Sequence, residues 1–229
     1  MSGRPDARGE SRPHPSVPLA PTAGLYRVAK RTLDLGAAGT GLVLLSPILG
    51  AIAIAVRLQS PGPVLFRQER IGIGGRPFTL FKFRSMDERA DEEEHRAYVS
   101  RLLRRDVTES GDTWQPITAD ARVTRVGYFL RRSHLDELPQ LLNILRGEMS
   151  LVGPRPPIPY EVELYEPWHL RRLSVKPGLT GLWQATAWGR LSFDEGVRLD
   201  VEYVERRSFW LDLRILGRTV WQIATGRQF

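Results

Sequence analysis

The sequence predicts a mixed α/β fold in which helices dominate and a proline-broken apolar helix precedes a small polar region. An uncharged apolar stretch covers residues 35–56, and two short runs rich in aromatic and aliphatic residues flank a cluster of glycines. Leucines then recur at helical spacing after a pair of carboxylates. These patterns predict a broken helix, a small β-hairpin and an amphipathic helix, in that order.

The composition bounds the classes of function. At 229 residues the chain has room for one catalytic domain and a short membrane element. Its 33 Lys and Arg against 26 Asp and Glu give a net charge of +7, which suits phosphates, lipid headgroups and nucleic acid equally. The absence of cysteine excludes disulfides, thiolate metal sites and cysteine nucleophiles, and is compatible with a reducing compartment.

The N-terminal residues 1–24 predict a disordered tail. They contain five prolines, three arginines and, as bulky aliphatics, only Val17 and Leu19, too little to bury a core. We therefore place a disordered tail at 1–24, and we expect an apolar helical segment at 25–58 and a more polar domain at 59–229.

The apolar stretch 35–56 is long enough to cross a bilayer as one helix. Ser46 and Pro47 lie at its middle, where a proline removes a backbone hydrogen bond, and basic residues such as Arg31 and Arg57 flank both ends. These details favour a re-entrant hairpin with both ends in the cytosol. Hydropathy alone leaves a buried core helix and a straight single-pass anchor open.

Short strands are predicted next. Residues 64–68 and 78–84 have the composition of strands, and Gly72, Gly74 and Gly75 between them predict a turn. A helix is predicted over 87–105, where acidic residues come early and basic residues late.

The densest chemical signal is the pair Asp136 and Glu137. An apolar helical stripe follows the pair, formed by Leu138, Leu141, Leu142 and Leu145. Because Pro139 fits only the first turn of a helix, we expect the helix to begin near Asp136 and to end at Gly147. Both carboxylates would then lie at a helix N-terminus, either as reactive groups that meet a phosphate there or only as caps.

Further polar residues follow in two rigid loops. Arg155 lies in a glycine- and proline-rich loop, and its planar guanidinium suits a diphosphate, although the loop is equally explained as a stiff connector. Trp183 and Gln184 follow a proline-glycine turn and can stack on and hydrogen-bond a base or sugar, although core packing explains Trp183 equally well. Residues 208–225 mix apolar, aromatic and arginine residues, which predicts an interfacial amphipathic helix or a core helix.

Several motifs, in order along residues 28–225, resemble the monotopic phosphoglycosyl transferases of the bacterial sugar transferase family. The matching stretches are 30–34, Ser46-Pro47, 81–86, 135–143, 149–156, 176–181 and 199–203. The resemblance implies a monotopic membrane protein with a re-entrant helix broken at Ser46 and Pro47, interfacial amphipathic helices and a small cytosolic catalytic region. It also implies a location at the bacterial inner membrane, with the catalytic region on its cytosolic face.

The resemblance further implies the transfer of a sugar 1-phosphate from a UDP-sugar to undecaprenyl phosphate. Asp136 is then the nucleophile that forms a covalent phosphosugar intermediate and releases UMP, and Glu137 joins Asp136 in binding Mg²⁺. The product would start a lipid-linked glycan such as exopolysaccharide, capsule or O-antigen.

Other positions are carried over by the same resemblance. Lys82, Arg131, Arg155 and Asp200 match polar family positions that bind substrate, and Pro156 matches a structural position. One segment departs from the family pattern: Ala187-Trp188-Gly189 replaces the usual Gly-Arg-Asn, and Arg190 is displaced by two positions. Either Arg190 replaces the missing arginine in substrate binding, or Trp188 reshapes the sugar pocket by stacking.

Two other classes of function compete with this interpretation. A membrane-tethered module that binds nucleic acid or anionic lipid would explain the arginine excess, but no recognised nucleic-acid motif supports it. A catalytically inactive scaffold would explain the departure at 187–189, but the intact pair Asp136 and Glu137 argues against it. The sequence leaves the sugar, the glycan pathway and the formation of a homodimer open.

Overall fold

The computed structural model describes residues 15–86, 123–187 and 191–225 and confirms a mixed α/β fold in which helices dominate. The helices of these ranges are α1 (Gly24–Leu44), α2 (Ser46–Gln59), α3 (Arg125–Arg132), α4 (Gln140–Arg146), α5 (Pro159–Glu163), α6 (Leu182–Ala187), α7 (Phe193–Arg206) and α8 (Phe209–Thr225). The strands are β1 (Leu65–Ile71), β2 (Pro77–Phe83), β3 (Ser150–Val152) and β4 (Gly178–Thr180). The helix predicted over 87–105 lies outside the described residues.

The break predicted at Ser46 and Pro47 is confirmed. Helix α1 ends at Leu44, α2 begins at Ser46, and the two are bent by 62°. Pro47 has no N–H for the carbonyl of Val43, and the hydroxyl of Ser46 donates to that carbonyl instead at 2.7 Å. Within the described ranges neither helix alone is long and apolar enough to cross a bilayer, whereas the bent pair together has the length and composition to do so.

The predicted hairpin is also confirmed. Strands β1 and β2 pair antiparallel, from Leu65 opposite Phe83 to Ile71 opposite Pro77. A short 3₁₀ turn connects them, and Gly74 has a φ of 69°, in the left-handed region that favours glycine. This turn is what the glycine cluster predicted.

Residues 15–23 form neither helix nor strand but pack against later parts of the chain, where the sequence predicted a disordered tail; residues 1–14 of that tail lie outside the described residues. The N–H of Val17 donates to the carbonyl of Gly74 at 3.3 Å, and the N–H of Ala20 donates to the carbonyl of Ser174 at 3.0 Å. A Cβ on Gly75 would lie 2.0 Å from the carbonyl oxygen of Pro15, so this position requires glycine. Backbone hydrogen bonds, which composition does not reveal, hold this segment.

The central core surrounds the parallel pair β3 and β4, against which α1 and α8 pack, and α4 packs in turn on α1 and β2. Helix α8 has one buried side and one exposed side. Its inner side is buried at Asp212 and Ile215, whereas Trp210 is 76% exposed on its outer side. Asp212 accepts from Lys30 of α1 at 2.9 Å and from Tyr203 at 2.8 Å, so buried polar contacts join the first and last helices.

Candidate active site

The two carboxylates lie on a 3₁₀ turn, Leu135–Glu137, and not in the first turn of an α-helix. Helix α4 begins only at Gln140, so the prediction of a helix from Asp136 is wrong by one turn. His134 precedes the 3₁₀ turn with a φ of 56°, and i to i+3 hydrogen bonds close the turn, including one from the N–H of Glu137 to the carbonyl of His134. The left-handed His134 and the missing N–H of Pro139 together delay the regular helix.

The apolar face of α4 differs in part from the predicted stripe. Leu141 and Ile144 are buried in the core, whereas Leu142 is 36% exposed. Asn143 lies on the buried side with no exposed area. Sequence analysis missed Asn143, although a lone amide beside buried positions of an apolar helix is a signal of a structural hydrogen bond.

Asn143 joins strand β2 to the segment that carries Asp136 and Glu137, which we call the dyad. Its Oδ1 accepts from the N–H of Phe81 at 3.1 Å, and its Nδ2 donates to the carbonyl of Thr79 at 2.7 Å. Because Lys82 follows Phe81 on the same strand, these bonds set the position of Lys82 relative to the carboxylates. Lys82 Nζ lies 2.7 Å from Glu137 Oε1.

The environments of the two carboxylates push their pKa values in opposite directions. Burial raises the pKa of Asp136 above its usual 3.8, an effect that Glu137 reinforces and that Lys82 and Arg131 reduce without cancelling. Burial would also raise the pKa of Glu137, but the adjacent Lys82 ammonium lowers it below its usual 4.5. Two neighbouring carboxylates with divergent pKa values are typical of a catalytic pair with separate roles.

A pocket opens beside Glu137. Three cations line it, Arg70, Lys82 and Arg155, together with Glu137, Gln140, Pro156 and Gln184. The structure thus brings Lys82 and Arg155 together as predicted and adds Arg70, which sequence analysis did not single out. The Oε1 atom of Gln184, a residue that lines this pocket, is buried without a hydrogen-bond partner among the described residues.

The remaining predicted residues take different places. Arg131 lies in the last turn of α3, donates to the hydroxyl of Ser85 at 3.0 Å and interacts electrostatically with Asp136. Arg190 and Trp188 lie outside the described residues. The carbonyl of Pro156 accepts from Arg70 Nη1 at 2.9 Å, which anchors the rigid loop that carries Arg155.

Asp200 lies beneath the pocket and is only 1% exposed. Its carboxylate accepts from Arg172 Nη2 at 2.5 Å, and the same nitrogen donates to the carbonyl of Arg155 at 3.1 Å. Arg172 Nη1 also donates to the hydroxyl of Tyr165 at 2.9 Å. Asp200 therefore supports the loop of Arg155 through Arg172.

Charged side chains of residues 30–34 connect the broken helix to the site. Arg31 of α1 donates to the carbonyls of Ile144 and Leu145, at 2.7 and 3.0 Å, where α4 ends. The buried carboxylate of Asp34 accepts from the hydroxyl of Ser150 at 3.0 Å and from the N–H of Leu151 at 2.8 Å. The apolar helix α1 and helix α4, which follows the two carboxylates, are thus held as one unit.

The two carboxylates of the dyad are oxygen ligands of the kind that Mg²⁺ prefers. Among the described residues there is no group of three or more His, Asp or Glu side chains able to hold a metal. Mg²⁺, however, usually takes only one or two protein carboxylates and completes its shell with water and substrate phosphates. The adjacent carboxylates Asp136 and Glu137 fit this pattern, with Glu137 ionised beside Lys82.

Comparison with known proteins identifies the family of this chain. The family model described as bacterial sugar transferase matches residues 25–226. The chain is 40% identical to the UDP-glucose:undecaprenyl-phosphate glucose-1-phosphate transferase of Caulobacter vibrioides, over 96% of this chain and 83% of that protein. It is 39% identical to the exopolysaccharide production protein ExoY of Rhizobium meliloti, over 94% of this chain and 92% of that protein.

A longer relative shares the same region. The UDP-glucose:undecaprenyl-phosphate glucose-1-phosphate transferase of Escherichia coli K12 is 40% identical over 91% of this chain, which spans only 43% of the length of that relative. The family match covers α1 to α8, including the dyad, the cationic pocket and the broken helix. The chain belongs to the bacterial sugar transferase family.

Proposed function

We propose that this protein transfers a sugar 1-phosphate from a UDP-sugar to undecaprenyl phosphate. The observation that carries the proposal is the pair formed by the buried Asp136 and the adjacent, Lys82-bound Glu137, which lines a cationic pocket. A donor diphosphate and a lipid phosphate are both anions, and cationic side chains lower their mutual repulsion. The names of the Caulobacter and Escherichia coli relatives support the same donor class and acceptor.

In the first step, a carboxylate oxygen of Asp136 attacks the sugar-bearing phosphorus of the donor. A P–O bond forms to Asp136, the P–O bond to the bridging oxygen breaks, and UMP leaves with that oxygen and its electron pair. The step consumes no proton, since the carboxylate and the leaving phosphate are both anions. It requires an ionised Asp136.

In the second step, a phosphate oxygen of undecaprenyl phosphate attacks the same phosphorus. The bond from phosphorus to Asp136 breaks, which restores the carboxylate and gives undecaprenyl diphosphate sugar. Lys82 and Arg155 hold the negative oxygens in both steps, and Arg131 beside Asp136 adds positive charge. The order of steps makes the reaction ping-pong.

Mg²⁺ belongs to the proposal through Asp136 and Glu137. When bound, it supplies a hard divalent charge that offsets the negative charge of the phosphates. Within the chain, Lys82 keeps Glu137 ionised and available as an oxygen ligand.

The bent pair α1 and α2 supports a membrane location. We propose that it enters the inner membrane as a re-entrant hairpin and leaves the catalytic region on the cytosolic face. Exposed apolar residues of both helices, such as Val43 and Ile54, would contact lipid. Arg31 and Asp34 then hold the pocket close to the headgroups, where a lipid phosphate is found, and the product would start an exopolysaccharide, capsule or O-antigen.

The experiment is UMP release by the detergent-purified full chain with Mg²⁺ across a panel of UDP-sugars, with and without undecaprenyl phosphate. The proposal expects one equivalent of UMP without acceptor, a sugar-phosphate adduct in the intact mass, and turnover when acceptor is added. Asp136→Asn should abolish all three. Acceptor-dependent turnover by Asp136→Asn would rule out the covalent step, and silence of the wild type across the panel would favour an inactive scaffold.

A further inference from the structure

Arg70 and Lys82 lie on the same face of the β1–β2 hairpin. Phe66 pairs with Lys82, Gln68 with Leu80 and Arg70 with Phe78. Directly paired residues of an antiparallel hairpin share a face, and so do alternate residues along each strand. One face therefore presents Lys82 towards the dyad and Arg70 four positions further along, and both side chains line the catalytic pocket.

The guanidinium of Arg70 is held in a fixed plane. Arg70 is only 5% exposed, and its Nη1 donates to the carbonyl of Pro156 at 2.9 Å. Its Nε and Nη2 both donate to Gln68 Oε1, at 3.0 and 2.6 Å. These partners are neutral oxygens, so they orient the fork of Arg70 without neutralising its charge.

Burial and the nearby charges together set the pKa of Arg70. Burial lowers the pKa of Arg70 to about 10, and the positive charge of Arg155 lowers it further in the same direction, whereas Glu161 and Glu137 oppose the shift. Arg70 therefore remains charged at neutral pH although a second guanidinium is near. Of the described residues that line the pocket, the one carboxylate is Glu137, and Lys82 already binds it.

We propose that Arg70 is a substrate-binding residue, which together with Arg155 binds the diphosphate of the donor nucleotide-sugar. The proposal rests on the proposed function, since it assumes a nucleoside diphosphate in this pocket. Two oriented guanidiniums match the charge and the paired oxygens of a diphosphate. The mutual repulsion of Arg70 and Arg155 is relieved when the anion lies between them.

A structural arginine on the same hairpin shows the contrast. Arg84 follows β2 directly, is 6% exposed, and donates to the carbonyls of Pro61 and Ser60 at 2.8 and 2.7 Å. It does not line the catalytic pocket. Arg84 thus matches Arg70 in burial and in carbonyl contacts, and differs in its distance from the pocket.

The test compares Arg70→Gln with Arg84→Gln in the full detergent-purified chain. Binding of UDP at fixed Mg²⁺ is measured by titration calorimetry, and the thermal midpoint of each variant is measured in the same buffer. We expect Arg70→Gln to weaken UDP binding by about ten- to hundredfold, since charge-assisted hydrogen bonds are lost. Arg84→Gln should change the affinity for UDP by less than about threefold, although it should lower the thermal midpoint by at least as much as Arg70→Gln does.

Arg70→Lys and Arg84→Lys form a second pair in case a glutamine variant does not fold. Lysine keeps the charge but loses the fork, so Arg70→Lys should still weaken UDP binding measurably and Arg84→Lys should not. Unchanged UDP affinity in Arg70→Gln or Arg70→Lys, or equal losses at positions 70 and 84, would overturn the assignment. If the wild type binds UDP strongly and the Arg70 variants bind it equally well, the assignment of Arg70 fails but the proposed nucleotide donor does not. If the wild type does not bind UDP, both the assignment of Arg70 and the proposed donor fail.

Discussion

Lys82 Nζ lies 2.7 Å from Glu137 Oε1, and the same ammonium is the foremost charge that lowers the pKa of Asp136. One cation from strand β2 therefore acts on both carboxylates of the neighbouring 3₁₀ turn. The hydrogen bonds of Asn143 to Thr79 and Phe81 hold the strand and the turn in this relation. The pKa of Asp136 therefore depends on a contact between distant segments, since Lys82 and Glu137 are 55 residues apart in the chain.

Removal of this cation should impair catalysis without unfolding the protein. Lys82→Met should lower kcat/KM by about a hundredfold or more, because a positive group aimed at the reacting phosphate is lost. Arg67→Met is the matched control, since Arg67 is an exposed cation on the opposite face of the same hairpin. Initial rates of UMP release with both variants check the prediction, and equal rates in the two would contradict it.

The pH dependence of activity should report the buried nucleophile. A protonated Asp136 does not attack phosphorus, and burial raises its pKa above the usual 3.8, so activity should fall on acidification at a higher pH than an exposed aspartate would give. In Lys82→Met this acid limb should move to still higher pH, because a charge that lowers the pKa is removed. Profiles of kcat/KM against pH for the wild type and this variant measure both effects. If kcat/KM falls at the same pH in the wild type and in Lys82→Met, Asp136 is not the group whose protonation causes the fall.

The contact between α1 and the core should contribute to stability. Asp34→Ala leaves the hydroxyl of Ser150 and the N–H of Leu151 without their acceptor in a buried site, which should cost about 1–3 kcal/mol. Asp34→Asn retains one acceptor oxygen and should lose less. Thermal unfolding in detergent compares the two, and an Ala variant as stable as the Asn variant would show that these bonds contribute little.

Close packing of α7 on Trp183 gives a fourth prediction. A Cβ on Gly196 would lie 2.1 Å from Trp183 Cε2, whereas a Cβ on Gly217 of α8 meets no atom within 4 Å. Gly196→Ala should therefore destabilise the fold by about 1–3 kcal/mol and lower activity, because Trp183 precedes the pocket residue Gln184. Gly217→Ala should be neutral or stabilise by up to about 1 kcal/mol. Gly196→Ala should thus lower the thermal midpoint and Gly217→Ala should not. An equal decrease in both variants would contradict the packing argument.

The proposed re-entrant hairpin of α1 and α2 predicts the topology of the chain in the membrane. Since the sequence has no cysteine, single cysteines at the exposed positions Ser16 and Arg76 provide unique labels. If the 62° bend at Pro47 returns the chain to the side it entered, an impermeant maleimide should reach both cysteines only from the cytosolic side. Labelling of the two positions from opposite sides would mean a straight span.

Local signals explain which predictions hold. The break at Ser46 and Pro47 follows from a missing N–H, and the β1–β2 hairpin follows from residue composition around glycines. The start of α4 was misjudged because a left-handed His134 is not visible in a sequence pattern. The packing of residues 15–23 could not be predicted because it depends on distant parts of the chain. Val17 packs against the buried cluster of Ile71, and the Arg207 side chain donates to Pro21 and Thr22.

The sequence by itself determined the broken helix, the hairpin and the pair Asp136 and Glu137, since each depends on neighbouring residues. Only the tertiary structure placed Arg70 in the pocket, 86 positions from the carbonyl of Pro156 that it binds, and Asp200 beneath it. These roles depend on which distant side chains meet after folding. Burial then sets their pKa values and their contacts, and no local pattern contains that information.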